Sequence, residues 1–172
     1  MSVLFSQWGP VHRPVVRPQG ATVYRDVERA GGAFVLPDAR DADVSADLGV
    51  EAEYLLRCTG DTGPSAEAHG VLMIVAFNVP EDRIAAVDEW YEHEHIDMLM
   101  RADGWLRARR HRVDAVLHGR PWTHIALHEL RDVSVMESPE RAAARSTPWR
   151  ARLETEAWFP AAGRWIYERE MT

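Results

Sequence analysis

The sequence predicts an α+β protein whose C-terminal part follows the order β-α-β-β-α-β. Three observations lead to this prediction: a continuous apolar run at 70–79, helical spacing of apolar residues after Pro80, and two alternating segments on either side of a turn at 114–121. This order is that of the ferredoxin-like fold, an antiparallel sheet with both helices on one face. The other face would be apolar, so we expect a second sheet to cover it.

The first three elements of this part are set by local signals. GVLMIVAFNV (70–79) is apolar throughout, which is typical of a central strand. Pro80 with Glu81 and Asp82 marks a helix start, where acids favour the helix dipole. Gly104 ends the segment. One stripe of the helix recurs at helical spacing: Ile84, Val87, Tyr91, His95 and Met98.

The remaining elements follow from alternation and capping signals. Residues 105–113 and 122–130 alternate and predict two strands joined by the turn. Ser138 before Pro139 predicts a second helix start, and Pro148 predicts an interruption of that helix. Residues 163–170 predict the last strand.

The N-terminal part is assigned to residues 1–65, and the ferredoxin-like module to residues 70–172. Residues 2–8 and 52–58 predict strands, 22–32 a short helix with a glycine stop, and 60–70 a linker. We interpret this part either as an extension or as a shortened ferredoxin-like half.

Composition excludes several classes of protein. The chain has 172 residues, a formal charge of −7 and one cysteine, Cys58, which fits a reducing cytoplasm and excludes an internal disulfide framework. The charge argues against nucleic acid as a partner, although 107–112 is a local basic run. The N-terminal residues lack a secretory pattern, and no apolar run has the roughly 20 residues of a membrane span. We therefore predict a cytoplasmic protein that contacts neither nucleic acid nor membrane.

Two segments resemble a known group. WYEHEHIDMLMRADGWLRARRHRV (90–113) resembles the helix and Arg-rich strand of EthD-like dimeric α/β-barrel proteins, and 137–153 is similar to their second helix. Ala102-Asp103 stands where the group often has Val-Pro. The resemblance implies a barrel of two ferredoxin-like sheets, usually from two subunits, and hence a homodimer. It also implies a pocket in the lumen or between sheet and helices; several enzymes of this superfamily use His with acids or Tyr and no cofactor.

His95 is the candidate general base near neutral pH, because it lies on the inward stripe, where an acid partner would raise its pKa and burial alone would lower it. Tyr91 and Glu94 are its candidate orienting groups. The alternative is a structural histidine that pins the helix to a strand or to a second subunit. His93 lies about 200° from His95 around a helix, so the two cannot chelate a metal, and we predict no metal site.

The strands supply the candidate substrate contacts. Alternation places Trp105, Arg107, Arg109 and His111 on one face, with Leu106 and Ala108 toward the helices. On the next strand Trp122, His124, Ala126 and His128 share a face, with Ile125 and Leu127 toward the helices. Pairing Val113 with Trp122 would set His111 opposite His124 and Arg107 opposite His128.

This polar face, with Tyr167 from the last strand, has two interpretations. It would bind an anionic substrate through its arginines, or it would pair with acids of a neighbouring subunit. We expect a small cofactor-independent enzyme of isomerase, cyclase or lyase type, acting by His-based proton transfer on a hydrophobic or aromatic carbonyl-containing or acidic metabolite. The alternatives are a non-catalytic dimerising or ligand-binding protein, and a haem- or metal-dependent oxidoreductase.

Overall fold

A computed structural model describes residues 2–9, 19–39, 50–65 and 67–170. Eight antiparallel strands form one closed barrel in the order β1-β3-β2-β8-β5-β7-β6-β4. The strands are β1 (Ser2–Trp8), β2 (Thr22–Asp26), β3 (Gly32–Pro37), β4 (Ala52–Asp61), β5 (Val71–Phe77), β6 (Trp105–His118), β7 (His124–Leu130) and β8 (Gly163–Arg169).

The described helices all connect strands of the C-terminal half. They are α1 (Ile84–Trp90), a π-helical turn (Tyr91–His95), α2 (Ile96–Leu99), α3 (Pro139–Ala144) and α4 (Pro148–Glu154), with short 3₁₀ segments at Glu81–Arg83 and Val133–Glu137. Ser138 and Thr147 cap α3 and α4, because each side chain accepts a hydrogen bond from the backbone N–H three residues on. The predicted interruption at Pro148 is confirmed. Among the described residues, no helix is long and apolar enough to cross a membrane.

The barrel consists of two half-sheets with the same strand order. The N-terminal half reads β4-β1-β3-β2 and the C-terminal half β8-β5-β7-β6, and the halves join through the pairs β2–β8 and β4–β6. The ferredoxin-like α+β prediction is confirmed. The covering sheet comes from the same chain, so the apolar sheet face gives no reason for a second subunit. Homodimerisation stays a prediction.

The centre of the core is the barrel interior. It is filled by apolar and aromatic side chains from both halves, among them Phe5, Tyr54, Leu72, Ile74, Ile125 and Leu127. β5 is apolar throughout because Leu72 and Ile74 face this interior while Met73 and Val75 pack under the helices.

The predicted helix at 22–32 is wrong. β2 occupies 22–26, a turn follows, and β3 begins at Gly32. Asp26 Oδ1 accepts hydrogen bonds from the backbone N–H groups of Glu28 and Arg29, which is the turn signal that sequence analysis missed. Strand pairing to β8 on one side and β3 on the other overrides the helical propensity of this short segment.

Candidate functional site

The β6–β7 register determines which side chains meet. His111 lies opposite Ile125, Arg109 opposite Leu127 and Ala108 opposite His128, one residue away from the register expected from the sequence. A slip of one residue moves a whole set of side chains to the other face of a strand. The predicted pairing of His111 with His124 is therefore wrong. Ile125 and Leu127 face the barrel interior, whereas Ala126 packs under the helices.

The arginines of β6 are neutralised by carboxylates. Arg107 Nη2 lies 2.6 Å from Asp61 Oδ2, and Arg109 Nη2 lies 2.6 Å from Glu129 Oε1. Neither arginine lines the cavity described below. These contacts fit the interpretation of ion pairing with acids, except that the acids belong to the same chain.

Trp105 differs from the predicted placement because a register irregularity separates it from Arg107. It packs with Leu99 and Ala102 on the helix side of the sheet. Ala108 lies on the helix side as predicted.

The π-helical turn brings two aromatic rings together. Ile96 N–H donates to Tyr91 O, an i→i+5 bond. In a regular α-helix residues 90 and 95 would point about 140° apart at about 100° per residue. Here the rings of Trp90 and His95 stack with centroids 4.3 Å apart, and the Tyr91 ring meets His95 edge-on at 5.6 Å.

A cavity of about 240 Å³ lies between the helices and the outer face of the C-terminal sheet. Its deep part is formed by aromatic, apolar and histidine side chains: Trp90, Tyr91, His95, Trp105 and His128, with Met73, Val75 and Phe77 of β5. Its lining also includes four arginines and one acid: Arg141, Arg145, Arg150, Arg164 and Glu28, of which Arg145, Arg164 and Glu28 are exposed and Arg150 is buried. The cavity therefore joins a nearly neutral floor to a cationic rim.

His95 forms part of the cavity wall and is buried. Its Nδ1 is buried and has no hydrogen-bond partner among the described residues. Burial lowers the pKa of His95 to about 3, with smaller contributions in the same direction from His128 and Arg150. The ring is therefore neutral at pH 7.

His128 is fixed in one tautomer. Trp105 Nε1–H lies 3.3 Å from His128 Nδ1, and an indole nitrogen can only donate. Nδ1 therefore accepts, and the proton of the neutral ring sits on Nε2. Burial lowers the pKa of His128 to about 4, so this tautomer persists at pH 7. His95 and His128 thus line the same cavity, the first with a buried Nδ1 that has no hydrogen-bond partner among the described residues, the second with its proton on Nε2.

Glu94 does not orient His95 through a hydrogen bond. Its Oε1 accepts from Trp90 Nε1 at 3.2 Å and from Thr147 Oγ1 at 2.6 Å. Because Thr147 caps α4, this carboxylate ties the π-helical turn to the helix that carries Arg150. Glu94 therefore positions Trp90, the ring on which His95 stacks.

The other candidate contacts are distributed elsewhere. Trp122 and Tyr167 line a separate cavity of about 600 Å³, with Gln7 donating to the Tyr167 hydroxyl at 2.6 Å. His111 and His124 border a small void of about 10 Å³. Among the residues described, no three His, Cys, Asp or Glu side chains converge on a metal position.

The four arginines of the cavity lining were not among the site residues predicted from the sequence. Arg141 and Arg145 are four residues apart at α3, which is a helical same-face spacing. The spacing was a usable signal, but Arg164 on β8 joins them only through the tertiary fold.

The buried histidines predict a pH-dependent stability. Burial lowers the pKa of His95 to about 3 and of His111 and His128 to about 4, against about 6.5 in an unfolded chain. Between these pH values the unfolded state binds more protons than the folded state. The free energy of unfolding is therefore highest above pH 6.5 and decreases as the pH is lowered, by up to about 1.4 kcal/mol per pH unit for each histidine. Urea denaturation at pH 7, 6 and 5 measures this slope.

The matched variants for this measurement are His111→Gln and His118→Gln, the latter at an exposed position at the end of β6. We expect His111→Gln to flatten the slope and His118→Gln to leave it as in the parent. Parallel curves for the parent and His111→Gln would show that burial of neutral histidine is not the cause.

No protein-family model matches the sequence, and no curated protein matches it. Solved structures match at low identity. An anthrone oxidase-like protein has a TM-score of 0.68 at 11% identity, covering 99% of this chain and 91% of that chain. A heme-degrading enzyme from Listeria monocytogenes has a TM-score of 0.63 at 6%, covering 99% and 100%. A monooxygenase-like protein from Listeria innocua has a TM-score of 0.64 at 7%, covering 99% and 94%.

These likenesses show the fold. The chain has the ferredoxin-like architecture known as the dimeric α/β barrel, and here both half-sheets of the barrel belong to one chain. The narrower resemblance to EthD-like proteins stays a prediction.

Proposed function

We propose that this protein is a small enzyme that moves a proton on a compact carbonyl-containing metabolite, with no resident cofactor. The observation that supports this most directly is the pair of neutral histidines in one aromatic cavity. His95 has an unused buried nitrogen, and His128 has its remaining proton on Nε2. A base and a hydrogen-bond donor are what removal of a proton next to a carbonyl requires.

In the proposed step, His95 Nδ1 takes a proton from the carbon beside the substrate carbonyl. The electron pair of that C–H bond moves to the carbonyl oxygen, and His128 Nε2–H donates a hydrogen bond to the developing enolate. The proton then returns from His95 to the same carbon or, in a conjugated substrate, to the far end of the dienolate. Atoms and electrons balance without an oxidant, and the net reaction of this step is an isomerisation.

The low pKa of His95 is compatible with this role. Burial is the main cause of the low pKa, and the charges of His128 and Arg150 lower it further. An anionic substrate beside Arg150 would offset that charge, and the enolate would favour the imidazolium further. His95 is thus a weak base in the empty cavity and a stronger one with substrate bound.

The size of the cavity limits the substrate. A volume of about 240 Å³ lies below the roughly 300–1,000 Å³ of pockets for drug-sized ligands. The aromatic floor favours one ring or an unsaturated chain. The proposed substrate is therefore a single-ring or short unsaturated carbonyl compound.

Solvent-deuterium exchange tests the proposal. We expect the protein to accelerate deuterium incorporation next to the carbonyl of phenylpyruvate or benzoylacetate in D₂O, measured by NMR. His93→Gln, at an exposed position two residues from His95, is the matched control and should exchange like the parent.

Two results would contradict the proposal: no acceleration over buffer for either compound, or equal acceleration by His95→Gln. Binding of either compound without exchange would instead favour the non-catalytic ligand-binding alternative.

A further inference from the structure

We infer that the cavity takes a compact ring carrying two negative charges, on two carboxylates or one phosphate group. This inference deepens the proposed function and rests on it, because it concerns the same cavity. It is carried by the arginine rim, defined as Arg141, Arg145, Arg150 and Arg164. These side chains come from α3, the residue after it, α4 and β8, and they line one cavity.

The arginine rim is poorly matched by acids. Among the described residues, only Arg150 of the four has an ion pair, with Glu154 at 2.8 Å. Arg141 Nη1 donates to the backbone carbonyl of Met136 at 2.6 Å. The contrast is with Arg107, Arg109 and Arg131, each of which has a carboxylate partner. The chain holds 27 acidic against 20 basic residues, so the shortage at this rim is local.

The mutual effect of the rim charges supports this. Burial lowers the pKa of Arg141, and Arg145 lowers it further. Burial likewise lowers the pKa of Arg164, with Arg150 and Arg145 acting in the same direction. The guanidinium groups of Arg141 and Arg164 therefore lie near other positive charges, whose effect an incoming anion would offset.

The floor of the cavity directs the ligand. His95 and His128 are neutral at pH 7, and Trp90 and Trp105 offer ring faces and edges. Charge is therefore favoured at the rim and a ring is favoured below it. The ligand is expected to enter with its ring first and its anionic groups last.

The number of charges follows from the groups present. Three guanidinium groups of the rim lack an ion pair among the described residues, and Glu28 is the acid that lines the cavity. Subtracting the negative charge of Glu28 from these three positive charges leaves two positive charges that a ligand would neutralise. One carboxylate engages one arginine in a bidentate pair, so a single carboxylate would leave part of the rim unmatched.

Isothermal titration calorimetry of the full chain with matched probes tests the inference. The probes are benzamide (neutral), benzoate (one charge), and isophthalate and phenyl phosphate (two charges near pH 7.5). We expect the two dianions to bind about 10-fold or more tightly than benzoate, and benzamide to bind most weakly. Rising salt should reduce the difference between dianions and benzoate.

Variants locate the effect. Arg145→Gln and Arg164→Gln should each weaken isophthalate binding by about 5-fold or more, with little change for benzamide. Arg152→Gln is the matched control, because Arg152 is exposed on α4 and does not line the cavity. Arg164→Lys keeps the charge and should retain part of the affinity. Circular dichroism checks that each variant is folded.

The outcomes separate this inference from the proposed function. Equal affinity for benzamide and the dianions, no binding of either dianion, or an equal loss in Arg152→Gln, would overturn the dianion inference and leave deuterium exchange to be judged by itself. A dianion preference that depends on Arg164, together with exchange that is indifferent to His95, would uphold the inference and overturn the proposed catalysis.

Discussion

Replacing His95 with glutamine is expected to lower exchange or turnover by about 10²- to 10⁴-fold, the usual contribution of a positioned general base. Glutamine approximates the size of the imidazole and keeps a polar group against Trp90, but it cannot accept a proton at neutral pH. The loss should therefore appear in the chemical step, with substrate affinity nearly unchanged. Single-turnover rates and binding titrations, measured separately, check this division.

A second histidine variant distinguishes the two assigned roles. His128→Gln keeps an N–H donor, so its loss should be smaller than that of His128→Leu, which removes the donor. Trp105→Phe frees His128 Nδ1 and should allow both tautomers, visible in ¹⁵N spectra of the imidazole. Equal losses for His128→Gln and His128→Leu would contradict the hydrogen-bonding role.

Replacing Glu129 with leucine is expected to destabilise the fold by about 3–5 kcal/mol, the cost of leaving a buried charge without its partner. Glu129 accepts from Arg109 at 2.6 Å, and both side chains are about nine-tenths buried. It also lies 3.5 Å from His69, whose Nε2 is 2.8 Å from the Tyr24 hydroxyl. Arg109 Nε is buried and has no hydrogen-bond partner in the described part of the chain, so loss of the carboxylate would leave the buried guanidinium without its ion pair.

Urea denaturation measures this change, with two controls. The double variant Arg109→Met with Glu129→Leu should recover much of the loss, because it removes both charges. Asp114→Asn breaks the exposed pair with Arg57 and should cost less than about 1 kcal/mol. If Glu129→Leu lowered the free energy of unfolding by less than Asp114→Asn does, the contacts of Glu129 with Arg109 and His69 would not stabilise the barrel.

The elements with strong local signals were predicted well. β1, β5 and β8, the start of β4, and the two caps before Pro139 and Pro148 lie where apolar runs, alternation and capping residues indicated. The prediction for 22–32 failed because the strand character of this segment depends on pairing with β3, across a turn, and with β8, which lies at the far end of the sequence.

The candidate site was only partly predictable. His95 and Tyr91 followed from helical spacing and do line the cavity. His128 was predicted as a site residue, but on the wrong face of β7. Alternation shows which side chains share a face, whereas the strand register determines which face that is. Trp90 joined His95 only because a π-helical turn changes the angle between positions five residues apart.

The sequence by itself determined the α+β class, the C-terminal β-α-β-β-α-β order and the inward stripe that carries His95, because periodicity and capping are local properties of the chain. The tertiary structure decided that the N-terminal strands close the barrel. It also decided that Arg107 and Arg109 of β6 form ion pairs with Asp61 and Glu129, and that the arginine rim lines the same cavity as His95 and His128. These features depend on strand register and on contacts between distant segments, which no single stretch of sequence contains.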